Sequence, residues 1–548
     1  MIKTCTITGQ AFTITEEDKA FYRKMGVPEP TLSPKERQFQ RIQLRNFHNL
    51  YKRKSDMSGK MMISMYAADS PYKVFNAEEW WGDQWDPMDH GRDFDFTRPF
   101  FEQFGELLMD VPKVALFQYR CENSDYANVA MDSKNCYLVG GCIQNEDCMF
   151  GHIVWKSFQC LDGLYLYDCE WCYECFDCVN CYQAFFSSEC TNSSEIYFSY
   201  NLQNCKNCFG CTGLRNKQWV WFNEETGEEE YKRRLAEVLP LSHSKIDWAK
   251  KELEKLKLAT IEPSVFGTQN EAVTGNHIYF SKNTADCFDI KKCEDARFIY
   301  TGEGFKDCYD ISFSPGQGEL LYNSLAVGGK AFKIIGSQMV IDCHDVYYSD
   351  NCFNSNNLFG CVGLKRKEYC IFNKQYSKEE YEALVPKLIE HMKSTGEWGE
   401  FFPVELSPFA YNETIAYEYY PISKKDALSR GMKWRESKNP EDYVGPKTQV
   451  PESIEGVDSS ICDRILSCEV TRELYKITPQ EFTFYQKMGI PLPKRTPKQR
   501  LMDRIAQRNP RQLWERQCGK CGVSIESSHH PEDSRVIYCG SCYLNELY

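Results

Sequence analysis

The sequence predicts a multi-domain, mainly β protein: a duplicated Cys-rich core resembling a β-solenoid, with helical inserts, flanked by two copies of a small α+β module resembling a zinc ribbon. Three features predict it. Residues 12–60 and 475–523 align without a gap at an offset of 463. Phe209-Gly210-Cys211-Thr212-Gly213-Leu214 recurs as Phe359-Gly360-Cys361-Val362-Gly363-Leu364 at an offset of 150. The chain also holds 28 cysteines in 548 residues, and repeats of this kind mark stacked units.

A mass of 63.9 kDa exceeds what one core organises, so three or more domains are expected. Apolar residues at 42% and charged residues at 26% give a globular balance. A net charge of −13 excludes nonspecific coating of nucleic acid by the chain as a whole. No apolar run approaches the roughly 18 residues of a membrane span. The opening Met1-Ile2-Lys3-Thr4-Cys5-Thr6 lacks the apolar stretch of a secretory signal. The expectation is a cytoplasmic protein with reduced thiols and no membrane partner.

Each terminal copy spells out its helices. Thr15 with Asp18, and Thr478 with Glu481, have capping-box spacing, and Gly26 and Gly489 stop the short helix that follows. Ser33-Pro34 and Thr496-Pro497 open a second helix. That helix carries Arg37, Arg41 and Arg45 in one copy and Arg500, Arg504 and Arg508 in the other, each trio on one face by its spacing of four. Between the copies, two stretches rich in Cys, Asn, Gly, Ser and aromatics lack helical periodicity. Cys136, Cys148, Cys160 and Cys172 step by 12, whereas Cys172, Cys181 and Cys190, like Cys343, Cys352, Cys361 and Cys370, step by 9. A constant step predicts equivalent residues stacked on successive rungs; the mixture of 12 and 9 leaves the rung length open. The expected order is a terminal module at 1–60, an aromatic and acidic insert at 61–120, a Cys-rich half at 121–223 and a helical segment at 224–262. A second Cys-rich half at 263–373, a helix at 374–398, a linker at 399–460 and the C-terminal module at 461–548 complete it.

The most specific motif is terminal. Cys518-x2-Cys521 and Cys539-x2-Cys542 have zinc-ribbon spacing, which predicts one Zn(II) held by four thiolates. Such a site has no open position and is structural. Ser55 and Ser58 stand where Cys518 and Cys521 stand, so the N-terminal copy is expected to fold without metal. Ser70 to Phe75 (SPYKVF), Trp80-Trp81 with Trp85-Asp86-Pro87, Gly91 to Phe96 (GRDFDF), the paired central motifs and the terminal ribbon together resemble a family of long, Cys-rich bacterial proteins with zinc-ribbon-like terminal modules and no established activity. The resemblance covers nearly the whole chain and implies architecture, not mechanism. It also implies cysteines where this chain has Ser33, Glu36, Ser55 and Ser58.

Three further groups are candidates for chemistry. Cys169, Cys172, Cys175, Cys178 and Cys181, with Cys205, Cys208 and Cys211, have the close spacing of an iron–sulfur or second zinc site. Buried thiols packed as small hydrophobes, or disulfides, are the alternatives. The arginine trios need an anion, either a phosphate backbone or carboxylates of this same acidic chain. Asp93 and Asp95, beside Glu78, Glu79, Trp80, Trp81 and Trp85, are placed on one strand face as a candidate glycan-hydrolysing carboxylate pair. The alternative has those carboxylates facing the arginine stripes while the Trp rings pack between domains. The functional expectation is a non-catalytic zinc-containing binding or scaffold protein whose favoured partner is nucleic acid or a ribonucleoprotein, engaged through the basic helices of the terminal modules, with a protein partner as the further option. A glycan-acting enzyme or an iron–sulfur redox protein is the alternative.

Overall fold

The computed structural model describes residues 1–163, 178–314, 316–436 and 445–547. It is multi-domain, with 32% strand, 26% helix and no closed barrel among the described residues. Both Cys-rich stretches form parallel ladders. In the first, Tyr182 pairs with Ser194, Ser194 with Lys206 and Lys206 with Gln218, a step of twelve throughout. Every third described residue from Arg120 to Phe222 has φ between 45° and 71°. The chain therefore turns a corner after each three residues and meets itself after four corners. The left-handed conformation costs an ordinary residue about 1 kcal/mol or more, and Asn and Asp least. Asn or Asp accordingly occupies many corners, and their side chains bond between rungs: Asn135 donates to Asp147 at 3.0 Å and Asn180 to Asn192 at 3.1 Å.

This geometry settles the cysteine steps, since both 12 and 9 are multiples of three. A recurrence of either keeps the residue at the same point of a side, the one that faces inward. There Cys136, Cys148, Cys190, Cys343, Cys352, Cys361 and Cys370 are buried and form no disulfide. Cys343 donates to the carbonyls of Ile341 at 3.3 Å and Cys352 at 3.6 Å, and the same pattern runs through Cys136, Cys148, Cys352 and Cys361. Serine takes the same place: Ser349 accepts from the Cys361 amide at 3.1 Å. A narrow interior admits small side chains, and a weak donor can reach the carbonyls of the rungs.

The second ladder runs from Gly267 to Gln375. Its step lengthens to thirteen where Phe305 meets Gly318 and Gly316 meets Gly329. These two inserted residues explain the offset between halves. Asp162 and Asp310 both sit at corners, 148 residues apart; after the insertions the offset becomes the 150 seen at Cys211 and Cys361.

The terminal modules repeat element for element. Helices Glu16–Met25 and Pro479–Met488 carry both hydrogen bonds of the capping box and end on left-handed Gly26 and Gly489. Helices Pro34–Ile42 and Pro497–Gln507 start at Ser33 and Thr496, with Pro in the first turn. Antiparallel hairpins follow, Tyr51–Lys54 with Met61–Ser64 and Trp514–Gln517 with Ser524–Ser527. The insert's Phe100–Asp110 helix packs Phe100 and Phe104 against Tyr348, Phe359 and Phe402. Charged helices Glu228–Val238, His243–Ala259 and Lys378–Thr395 follow the ladders. The 399–460 stretch, expected as a linker, buries Phe401, Phe402, Tyr411, Ile415 and Ala427 in the largest apolar cluster. No helix among the described residues is long and apolar enough to cross a membrane.

Candidate metal centre

Cys518 and Cys521 sit in the turn of the Trp514–Gln517/Ser524–Ser527 hairpin; Cys539 and Cys542 start the Gly540–Leu547 helix region. The four Sγ atoms lie within 4.8 Å of one another, a set able to hold a metal ion and compatible with zinc. Cys521 and Cys539 Sγ are 3.9 Å apart, and the Cys539 amide donates to Cys518 Sγ at 3.2 Å. Burial works against a Cys518 thiolate, but the amides of Cys521, Cys539 and Lys520 outweigh it and hold the thiol down at about 6. Glycine has a reason here: Gly522 has φ of 73°, and its amide closes the turn on the Cys518 carbonyl at 2.9 Å. His529 is buried 3.5 Å from Asp533, and neither it nor His530 belongs to the thiol group. In the N-terminal copy the Ser55 hydroxyl donates to Glu79 and accepts from the Met57 amide, so hydrogen bonds do for that turn what metal can do for the other.

A second group capable of ligation unites three distant segments. His48 Nε2 is 2.8 Å from His152 Nδ1, which is 3.8 Å from Glu418 Oε2. Burial drives the His48 ring down to about 3, with Lys498 and Arg504 adding to it, and pushes the Glu418 carboxyl up to about 8. Arg511, Arg504 and Arg508 also act on His152. Two neutral rings and a protonated carboxyl suit these cationic surroundings better than a dication does.

The arginine stripes lie inside the protein and meet carboxylates of this same chain, one of the two anions expected for them. Arg37 Nε is 2.9 Å and Arg41 Nη1 3.3 Å from Asp310, with both guanidinium groups and the carboxylate at 2% exposure or less. Arg500 Nε is 2.6 Å and Arg504 Nη2 3.5 Å from Asp162, equally buried. Arg508 and Arg511 close on Asp289. Asp162, Asp289 and Asp310 are all ladder corners. The N-terminal pair Arg37 and Arg41 clamps the second ladder, whereas the C-terminal module reaches both, Arg500 and Arg504 on the first and Arg508 and Arg511 on the second. Arg37 lies 5.2 Å over Phe298 and Arg500 5.0 Å over Phe150, each ring one rung before its Asp. Of the six arginines, Arg45 alone makes no ion pair among the described residues.

The acidic insert is corrected. Asp93 and Asp95 lie in irregular chain after the short Pro87–His90 helix, not on a strand. Asp93 accepts from Lys374 at 2.7 Å and Tyr376 at 2.9 Å; Asp95 accepts from the Thr97 amide and hydroxyl. These bonds hold both carboxyls below the usual range, so neither has the raised pKa of a general acid. The insert's carboxylates face Lys367 and Lys374, not the arginine stripes. Trp80 is buried, with Trp81 at 4.8 Å and the Lys365 ammonium 4.2 Å above its ring. Asp93→Asn with Asp95→Asn should therefore leave unfolding within about 0.5 kcal/mol of the parent; a larger loss in a denaturant titration would give them a structural part.

Among the central thiols, Cys178, Cys181, Cys205, Cys208 and Cys211 point into the ladder interior, each bonded to backbone carbonyls. Cys169, Cys172 and Cys175 lie outside the described residues. The corner carboxylates and the His48–His152–Glu418 junction were not foreseen. For Asp162 the signal was present in sequence, as a residue in three-residue register with the corner asparagines.

No family model and no curated protein matches the chain. A solved chain from Desulfovibrio desulfuricans G20, whose description proposes an acetyltransferase, is similar over 46% of this chain and 58% of its own, at 10% identity and a TM-score of 0.09. The chain spans little more than half the length of that protein, and a likeness of this depth carries no statement of fold or function.

Proposed function

We propose that the protein is a non-catalytic, zinc-containing scaffold of the reducing cytoplasm. Its ladders at 121–223 and 263–373 act as two halves of a β-solenoid, and zinc-ribbon-like modules at 1–60 and 461–548 lock them together. The observation that carries this reading is the clamp built twice: paired arginines of each module on a buried corner carboxylate of a ladder. Chemistry that holds a chain together has been duplicated, and a four-thiolate zinc adds a further fastening with no open coordination position.

Nucleic acid or ribonucleoprotein binding is the second reading, and it rests on a groove of about 590 Å³ beside helix His243–Ala259. Lys250, Lys257, Lys494 and Arg495 line that groove with Asp247, Glu254, Glu469 and Asp503, and the Asp162-bound Arg500 and Arg504 form part of its wall. Anisotropy titrations with single- and double-stranded oligonucleotides across a salt series separate the two. The scaffold reading expects no steep salt dependence. A log–log slope near −0.9 per phosphate contact on duplex DNA, lost on Lys250→Glu with Lys494→Glu, would install the nucleic-acid reading instead.

A further inference from the structure

Arg45 breaks the symmetry of the clamps. It is 7% exposed, and its Nε and Nη2 are buried with no hydrogen-bond partner among the described residues. Its counterpart in the C-terminal module, at the offset of 463, is Arg508, which holds Asp289. The step of 148 that relates Asp310 to Asp162 takes Asp289 to Gly141. Where one half supplies a carboxylate, the other supplies a residue with no side chain. Gly141 keeps the corner conformation, with φ of 71° beside 59° for Asp289.

With no carboxylate at that corner, Arg45 and Gly141 both line a cavity of about 340 Å³ between the two ladders, and the Phe47 ring and Ile153 pack 3.0 and 3.1 Å from where a Cβ of residue 141 would stand. Its walls are apolar: Ile143, Ile153 and Trp155 from one ladder, Phe313, Met339 and Ile341 from the other. The charged groups on its lining are Arg45, Lys156, Lys292 and Glu303, an excess of two positive charges; Lys156 and Glu303 are 3.9 Å apart. Behind the guanidinium a cavity of about 30 Å³ leads to Asp350, already engaged by Lys113 at 3.2 Å, Gln338 at 2.7 Å and Asn351 at 2.9 Å. Burial pulls Arg45 down to about 10, only partly opposed by Asp350. A buried guanidinium without a partner is costly, and its planar fork matches a carboxylate. The larger volume falls within the range of small-molecule sites.

We propose that this cavity binds an apolar monocarboxylate, whose head group takes at Arg45 the place that Asp289 takes at Arg508, with its hydrocarbon body between the ladders. The inference stands independently of the scaffold reading. Calorimetry with decanoate tests it on the full chain, with methyl decanoate as the uncharged control. Saturable binding of decanoate, and binding of the ester weaker by about tenfold to a hundredfold, is expected, the range of a charge-assisted hydrogen bond. Arg45→Met should weaken decanoate by a similar factor while the ligand-free melting temperature stays level or rises, because an unpartnered buried charge is gone. Gly141→Asp, which supplies the carboxylate from the chain itself once Phe47 and Ile153, 3.0 and 3.1 Å from the new Cβ, give way, should block binding while the chain keeps its cooperative unfolding. Absence of decanoate binding, equal binding of acid and ester, or undiminished binding by either variant overturns the proposal. So does a melting temperature lowered in Arg45→Met, which would mean that water and Asp350 already satisfy the guanidinium.

Discussion

Arg500→Gln combined with Arg504→Gln is expected to cost about 3–5 kcal/mol of unfolding free energy, the penalty of leaving a buried charge without its partner. Asp162 is the charge left behind; it is fully buried, and both of its ion-pair partners in the C-terminal module would be removed. The loss should appear as a lower denaturant midpoint at unchanged slope, with protease cutting first in the C-terminal module. Adding Asp162→Asn should return part of the stability, so that the triple variant is less damaged than the sum of its parts. The deficit should also grow with pH. Burial pushes the Glu481 carboxyl up to about 7, with Arg500 opposing. A carboxyl raised above its unfolded value near 4.3 favours folding in acid, and that contribution fades as pH rises through the folded value. Without Arg500 the charged form of Glu481 is harder to keep, so the variant should fall further behind the parent between about pH 5 and 8. A double variant within about 1 kcal/mol of the parent would show that apolar contacts alone hold the module.

Removal of metal from Cys518, Cys521, Cys539 and Cys542 should unfold the C-terminal hairpin and leave the ladders standing. Four-thiolate zinc supplies roughly 10–16 kcal/mol of apparent binding free energy in small zinc-finger peptides. A pair of four-residue strands cannot match that by itself. The expected result is one zinc per chain in the parent and none in Cys518→Ser with Cys521→Ser. In that variant, hydrogen exchange should accelerate in the hairpin Trp514–Gln517/Ser524–Ser527 and in the short pairing of Glu262–Pro263 with Ile537–Tyr538. Acid should release the metal, because each ligand binds as thiolate. Protection elsewhere, at Val346 or Ile311 inside the second ladder, should not change. Exchange that accelerates everywhere would make the metal part of the global fold, and stoichiometric iron in a coloured protein would shift attention to the central thiols.

What could be read in advance followed a physical rule about local sequence. Caps, stops and prolines specify the helices of both terminal modules, because the groups that satisfy a helix end come from within four residues of it. The thiol quartet was legible for a like reason: each pair lies within one tight turn, and the spacing between pairs is short. The twelve-residue rung was nearly legible. Its steps of 12 and 9 share a factor of three, but the left-handed corners that give that factor meaning are conformations, not residue types.

From sequence alone came the two duplications, the module helices, the metal quartet and the periodic thiols, all properties of residues near one another along the chain. Only the tertiary structure decided where the charge went. Arg41 meets Asp310 across 269 residues and Arg500 meets Asp162 across 338. No local pattern distinguishes an arginine stripe that awaits phosphate from one that closes on a buried carboxylate, because the energy of a charge depends on the burial and the partner that folding gives it. The same limit hid Arg45, whose missing partner emerges only when the two halves are superposed and a glycine is found opposite the place of an aspartate.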